Sequence, residues 1–234
     1  MSDVAAVHRE LWGAVRHHWS PNAVLGHGED HAHRTYRHAM SLATRERADI
    51  LVAGAACYLM DAGLEPVQGR TGHVERSLAI AERLCTQIDG LRRRRALVLA
   101  AVTHHEAECD PPPDAPPEVW IVRDSDTLDR LGYTGIRMTL AYGVWAGRPL
   151  CHPRDPLCLE RVPDLDGYTL DYVRHLATLV PRLATGGAIA AAARKAGELD
   201  EYFALLASRD DDPATWTHAM ARSAARPRPA PETA

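Results

Sequence analysis

The ten residues GAACYLMDAG at 54–63 have the pattern of a helix that ends in a pocket. Small and apolar residues run as far as Met60, and an aspartate and a glycine follow at Asp61 and Gly63. Glycine is a common stop just beyond a helix, so the helix should end here with the carboxylate at its last turn. Asp61 is therefore a candidate site residue, and the thioether of Met60 directly before it needs an explanation.

Helical patterns extend in both directions from this stretch. Apolar residues recur at spacings of three and four, no long stretch alternates with a period of two, and proline and glycine mark the stops. The sequence predicts an all-α protein of about nine to ten helices. We expect one helical domain over residues 1–208 and, over 209–234, a short helix followed by a disordered Pro/Arg/Ala-rich tail. The predicted helices are 3–18, 30–46, 48–62, 72–88, 92–105, 118–130, 133–143, 168–183, 187–207 and a short one at 213–223.

Composition narrows the class of protein. The 234 residues carry a formal net charge of −4, so we expect no nucleic-acid partner. No segment approaches the roughly 20 apolar residues that a membrane helix needs, and the N-terminus has no apolar signal core. The five cysteines form no C-x-x-C pair, which fits reduced thiols. We therefore expect a cytoplasmic protein with no membrane partner.

Histidines and aspartates stand at several of the predicted helix ends. His31 lies at the start of one helix, Asp61 and His105 end two others, and His73 begins a fourth. The stretch VRDSDTLDRLG at 122–132 adds Asp124, Asp126 and Asp129. Such a mixed set of nitrogen and oxygen donors suits a divalent metal ion such as Mn, Fe, Co, Ni, Zn or Mg.

The order of these motifs resembles that of the HD phosphohydrolase superfamily, whose pattern is H…HD…D. HGEDHAHRTYRHA (27–39) is similar to its first-histidine helix, AACYLMDAG (55–63) to its helix end with the His-Asp pair, and VRDSDTLDRLGYTGIRMTLAYG (122–143) to its closing motif. The resemblance spans residues 25–205 and implies that His31, Asp61 and Asp126 bind the metal. Met60 then stands where the family has the paired histidine.

The resemblance implies a metal-dependent phosphohydrolase that acts on a small phosphoester or nucleotide. Asp61 or Asp124 would orient the attacking water or accept its proton. Arg34 would support the site and, with Arg137, meet an anionic substrate. The remaining substrate contacts would come from three residues: His73, His105 and Met60. His73 and His105 could also complete the metal shell.

Alternatives remain open because of Met60. The methionine is either core filling, a vestige of the family pattern or a sign of a shifted register. A degenerate or repurposed HD domain would keep a pocket for a small-molecule ligand and lack phosphohydrolase activity. A di-iron oxygenase of the HD type is a further alternative, against which the absent histidine counts. The aliphatic helices at 168–207 make a homodimer possible.

Overall fold

The computed structural model describes residues 3–19, 25–65, 69–108 and 110–208. Within these ranges the chain is all-helical, and an isolated bridge between Glu65 and Gly69 is the only β-type pairing. The predicted all-α class is confirmed. The helix predicted at 213–223 and the tail lie outside the described residues. The ten α-helices are α1 (Val4–Val15), α2 (Glu29–Glu46), α3 (Ile50–Leu59), α4 (His73–Gln87), α5 (Asp89–Arg92), α6 (Arg95–Thr103), α7 (Pro117–Asp129), α8 (Gly132–Trp145), α9 (Thr169–His175) and α10 (Gly186–Ser208).

Helix α3 forms the centre of the bundle. Every residue from Leu51 to Leu59 is buried, and a helix that is apolar on all sides has to be surrounded by others. It packs against α1, α2, α4, α6 and α7. The side chain of Asp49 caps its start by accepting hydrogen bonds from the backbone of Leu51 and Val52. Asp61, just beyond its end, is therefore held at the middle of the molecule.

Helices α2 and α7 both pack against α3 and bring His31 and Asp126 to the end of that helix. On α2 the buried residues His31, Thr35, Ala39 and Leu42 follow helical spacing and face the core. Helix α7 is buried along nearly its whole length although it carries many polar residues. Each buried polar side chain of α7 needs a hydrogen-bond partner inside the protein. The identity of that partner shows whether the side chain has a structural role.

Two departures from the predicted helices have local causes. The predicted helix at 168–183 is split into α9 and a 3₁₀ segment, Leu176–Arg182, because Pro181 cannot continue an α-helical hydrogen-bond pattern. The predicted helix at 48–62 ends earlier, at Leu59, and residues 60–63 form turns. Among the described residues, none of the helices combines the length and the apolar character that crossing a membrane requires.

Candidate metal centre

Asp61 lies at the meeting point of the turn after α3 and the start of α4. Gly63 brings these two elements together, since a Cβ atom at this position would lie 2.4 Å from the backbone nitrogen of Ser77 and 2.6 Å from the carbonyl oxygen of His73. The Ser77 hydroxyl accepts a hydrogen bond from the Gly63 N–H at 2.9 Å. The close approach of the two backbones places His73 beside the Asp61 carboxylate.

Four histidines surround the Asp61 carboxylate. Oδ2 lies 3.2 Å from His27 Nδ1 and 3.3 Å from His31 Nε2. Oδ1 lies 3.3 Å from the Nε2 atoms of both His73 and His105. These histidines come from the loop before α2, from α2 itself, from the start of α4 and from the end of α6. One carboxylate thus joins two groups of nitrogen donors.

His31 is oriented by a carboxylate on its other ring nitrogen. Its Nδ1 donates a hydrogen bond to Asp129 Oδ2 at 2.7 Å. Arg34 in turn donates to both oxygens of Asp129, at 2.7 and 3.0 Å. With Nδ1 protonated, the neutral imidazole has its lone pair on Nε2, the arrangement found in metal-binding histidines.

The Nε2 atom of His31 has no hydrogen-bond partner among the described residues, although it is fully buried. It faces Asp61 at 3.3 Å and Asp126 at 3.4 Å. A buried polar atom without a partner is costly in a folded protein. A metal ion between this nitrogen and the carboxylate oxygens would satisfy it, so the donor set fits a divalent cation.

His73 and His105 form a second donor group with Asp61. Each ring donates from Nδ1 to a backbone carbonyl, that of Arg70 at 2.7 Å for His73 and that of Val102 at 2.8 Å for His105. Both Nε2 lone pairs are then directed inward, and the two Nε2 atoms are 3.4 Å apart. Adjacent ligands of an ion at about 2.1 Å lie roughly 3.0–3.4 Å from one another. The spacing of this group matches that requirement.

The pKa values of Asp61 and His31 are set by two opposing effects, burial and the contacts with neighbouring ionisable groups. Burial disfavours a charged Asp61, but its contacts with His105, His27, His31 and His73 outweigh burial and hold the pKa of the carboxyl well below its usual value. Burial likewise opposes a charged His31, but its contacts with Asp126, Asp129 and Asp61 outweigh burial and raise its pKa well above the usual value. The cluster therefore attracts positive charge.

A pocket of about 460 Å³ adjoins the cluster. His27 belongs to both, because it lines the pocket and lies 3.2 Å from Asp61. Three arginines, Arg70, Arg130 and Arg148, contribute positive charge to the wall. The other lining residues include Glu106, Glu108, Met138, Thr139, Tyr142, Trp145, Asp166 and Tyr172. The pocket combines cationic groups for an anion with aromatic surface for an organic group.

The pocket arginines are held in place by acidic and aromatic partners. Arg130 donates hydrogen bonds to Glu108 at 2.5 and 3.1 Å and to the Tyr172 hydroxyl at 2.6 Å. It also lies 3.7 Å from Asp126, and so connects the pocket with the metal cluster. Arg70 pairs with Glu106. The guanidinium of Arg148 is stacked over the ring of Tyr142, 5.2 Å from its centroid.

The structure brings together most of the residues predicted for the site. His31 contacts both Asp61 and Asp126, while His73 and His105 lie against Asp61. His73 and His105 are almost fully buried, at 3% and 2% exposure, which suits ligands better than the substrate contacts that were also expected of them. Two sets of three residues each have donor atoms that all lie within 4.8 Å of one another: His27, His31 and Asp61 form one set, and Asp61, His73 and His105 form the other.

The structure places Asp124, for which a catalytic role was predicted, outside the histidine cluster around Asp61. Its carboxylate accepts hydrogen bonds from the backbone N–H groups of Ala184 and Thr185, at distances down to 2.7 Å, and from the Thr185 hydroxyl at 2.7 Å. Two residues along a helix correspond to a rotation of about 200°, so Asp124 and Asp126 face opposite sides of α7. Asp124 fixes the start of α10 instead.

Arg34, Arg137 and Met60 are not among the residues that line the pocket. Arg34 is bound to Asp129 and to Asp30, so it positions the partner of His31 and is not free for a substrate. Arg137 is 59% exposed and lies 3.3 Å from Asp30 at the surface. Met60 has no exposed surface and belongs to the hydrophobic core.

Several residues of the site were not assigned from the sequence. Asp129 and Arg130 stand three and four positions after Asp126, a spacing that places them on neighbouring faces of one helix and could have identified them. His27, four residues before His31 in the same motif, is by contrast a candidate from the sequence for the work of the absent histidine. Arg70 and Arg148 lie in turns between helices, where the sequence carries no periodic signal.

Comparison with known proteins finds similar folds at low sequence identity. No family model matches the sequence, and no curated protein matches it. An HD-superfamily hydrolase from Bacillus thuringiensis is similar in structure, with a TM-score of 0.62 and 20% identity over 88% of this chain and 97% of that one. The chain has the fold of the HD-superfamily hydrolases.

Two further solved structures share the HD fold with this chain. A predicted HD superfamily hydrolase from an uncultured Thermotogales bacterium has a TM-score of 0.57 and 20% identity over 86% of this chain and 91% of that one. YpgQ from Bacillus subtilis, solved in complex with ADP, has a TM-score of 0.64 and 17% identity over 90% of this chain and 100% of that one. The likeness thus covers nearly all of the described bundle.

Proposed function

We propose that this protein is a metal-dependent phosphohydrolase that cleaves a small phosphorylated molecule, with a nucleotide as the favoured class. This proposal rests on the contact between the two parts of the site, the histidine cluster around Asp61 and the pocket. His27 lies 3.2 Å from the Asp61 carboxylate and also lines the pocket that carries Arg70, Arg130 and Arg148. A divalent ion held by the cluster would supply an activated water and stabilise charge on the phosphoryl oxygens.

The protein's own residues support this proposal through substrate binding. Arg148, Arg130 and Arg70 offer the planar, charged donors that suit phosphoryl oxygens. Tyr142 and Trp145, whose ring centroids are 5.4 Å apart, form aromatic surface on the same wall. This surface suits stacking of a flat organic group such as a nucleobase. The complex of the structurally similar YpgQ with ADP supports the same class.

In this proposal Asp61 is a metal ligand and not the group that accepts a proton from the attacking water. Both of its oxygens lie within 3.3 Å of histidine nitrogens, and its pKa is held well below the usual value by those contacts after burial is overcome. A carboxylate with so low a pKa is a weak base. Glu106, which lines the pocket and lies 4.0 Å from His73 Nε2, is placed better for proton transfer.

The proposal is tested with protein loaded separately with Mn²⁺, Co²⁺, Zn²⁺ or Mg²⁺. Release of phosphate or pyrophosphate is measured with p-nitrophenyl phosphate, bis-p-nitrophenyl phosphate and nucleoside mono-, di- and triphosphates. Turnover that disappears in Asp61→Asn and persists in the surface variant Arg137→Met is expected. Binding of ADP without turnover under any metal would contradict catalysis and favour a repurposed pocket.

A second candidate is a di-iron oxygenase, which the second donor group favours. His73, His105 and Asp61 could hold another ion beside the one near His31, with Asp61 shared between the two. The two functions differ in their need for oxygen. If the iron-loaded protein consumes O₂ and releases no phosphate from phosphoesters, the oxygenase would replace the hydrolase proposal.

A further inference from the structure

The residue at position 60 cannot supply the nitrogen donor that the HD pattern places there. Met60 is a thioether in the hydrophobic core with no exposed surface. Thioether sulfur is a soft ligand and suits Mn, Co or Zn poorly in comparison with imidazole. The metal group around His31 therefore needs a nitrogen donor from elsewhere in the chain.

His27 offers such a donor at the correct oxygen. Its Nδ1 lies 3.2 Å from Asp61 Oδ2, and His31 Nε2 lies 3.3 Å from that same atom. The donor atoms of these three residues are all within 4.8 Å of one another. Ligands around an ion at about 2.1 Å are roughly 3.0–3.4 Å apart when adjacent and about 4.2 Å when opposite, so small shifts suffice.

The backbone around His27 is held where the side chain can reach the cluster. Gly26 has a φ of 92°, a conformation that favours glycine, and a Cβ atom there would lie 2.7 Å from the carbonyl oxygen of Met138 on α8. Gly28 is the N-cap residue of α2, and its carbonyl accepts a hydrogen bond from the His31 N–H at 2.9 Å. The loop is thus fixed at both sides of His27 by α8 and α2.

We propose that His27 replaces the residue at position 60 as a nitrogen ligand, so that His27, His31 and Asp61 hold the metal ion. This inference rests on the metal site of the proposed function. Asp126 lies beside this group, 3.4 Å from His31 Nε2. Because His27 is also part of the pocket wall, an ion held by these residues would adjoin the pocket that is proposed to bind the phosphoryl group.

The test measures binding of Co²⁺ to the purified full-length chain, by calorimetry and by the visible absorption of the ion. His27→Ala should weaken Co²⁺ affinity at least about tenfold and change the absorption band, because one nitrogen leaves the coordination shell. His27→Gln, which keeps a polar side chain, should show the same loss. His17→Ala removes an exposed histidine outside the cluster and should leave both readouts unchanged.

Two variants separate a ligand role from a structural one. Met60→Leu conserves volume in the core and should bind Co²⁺ as the wild type does. Addition of imidazole to His27→Ala should restore the absorption band, which loss of folding would not allow. Wild-type protein that binds no ion would refute the metal-dependent function. Binding that is unchanged in both His27 variants would refute only the role of His27.

Discussion

Asp129 accepts a hydrogen bond from His31 Nδ1 at 2.7 Å, while Arg34 donates hydrogen bonds to both oxygens of the same carboxylate. This contact fixes the imidazole with Nε2 directed at Asp61 and Asp126. Asp129 itself need not touch the ion. It determines how His31 presents its lone pair, and such outer partners typically change metal affinity by roughly 10- to 100-fold.

Asp129→Asn should therefore lower metal affinity by about tenfold or more without removing any ligand. The amide presents either an oxygen or an N–H to His31, so the orientation and tautomer of the ring are no longer fixed. Affinity for Mn²⁺ or Zn²⁺ is measured by calorimetry. Asp30→Asn is the matched control, because Asp30 is the other carboxylate bound by Arg34 and is 56% exposed. Equal affinities for both variants and the wild type would rule out this role.

Arg148→Met should weaken substrate binding and leave metal binding intact. The guanidinium lies in the pocket over Tyr142, away from the histidine cluster. We expect KM for a phosphorylated substrate to rise about tenfold or more, since charged hydrogen bonds contribute roughly 1.5–3 kcal/mol. Steady-state kinetics and Mn²⁺ titration are measured on the same preparations. Arg137→Met is the control, and a similar KM change in both variants would contradict the role of Arg148.

Asp124→Ala should destabilise the fold and spare the site. The variant removes hydrogen bonds to Ala184, Thr185 and the Thr185 hydroxyl at the start of α10. Loss of a cap of this kind lowers the free energy of unfolding by about 1–2 kcal/mol. Urea unfolding checks the stability, and metal affinity of the folded variant should equal that of the wild type. Thr185→Val, which removes one of these contacts, should show a smaller loss.

The sequence predicts which residues lie near the site better than it predicts the role of each residue. His31 and Asp61 lie near helix ends, and Asp126 lies on a buried helix. At such positions the spacing of residues along the helix determines which part of the fold each side chain lies in. Asp124 and Asp126 are the same residue type two positions apart, so only the packing of α7 reveals which one faces the cluster. Arg148 depends on the turn that follows α8, and its position is set by tertiary contacts with Tyr142 and Asp166.

Acid should weaken the contact between Glu108 and Arg130. Burial raises the pKa of the Glu108 carboxyl, but the hydrogen bond and charge of Arg130 outweigh it and lower the pKa from 4.5 to about 2. A carboxyl with a lowered folded-state pKa contributes stability above its unfolded pKa, and that contribution is lost as the pH falls through the folded value. The window is therefore about pH 4.5 down to about 2.

Glu108→Gln measures this contribution. The variant should be less stable than the wild type at pH 7, and the difference should shrink as the pH falls from about 4.5 toward 2, because the carboxyl is protonated first in the unfolded chain and only then in the folded protein. Urea unfolding at several pH values gives both curves. Glu160→Gln, a surface carboxylate in the 146–168 loop, serves as the control. A stability difference that stays constant over the range would show that the charge of Glu108 does not matter.

Met60→His tests whether position 60 still faces the ion. The family resemblance places a metal-binding histidine there, yet in this chain Met60 is fully buried in the core. Without metal, a buried imidazole that lacks a partner should lower the melting temperature. With metal, the same imidazole gains a ligand bond, so the loss should be recovered as the ion is added. Melting is measured with chelator and with a titration of Zn²⁺ or Mn²⁺.

Combining Met60→His with His27→Ala gives a more specific prediction for metal affinity. If His27 provides the nitrogen in the wild type, Met60→His alone should raise metal affinity only slightly, because the shell is already supplied. In the His27→Ala background the new histidine should recover most of the lost affinity, since contacting positions behave non-additively. Met60→Leu in that background is the matched control and should recover none. A double variant that binds metal as poorly as His27→Ala would mean that α3 directs position 60 into the core and away from the ion, and that this chain's metal site depends on the loop before α2.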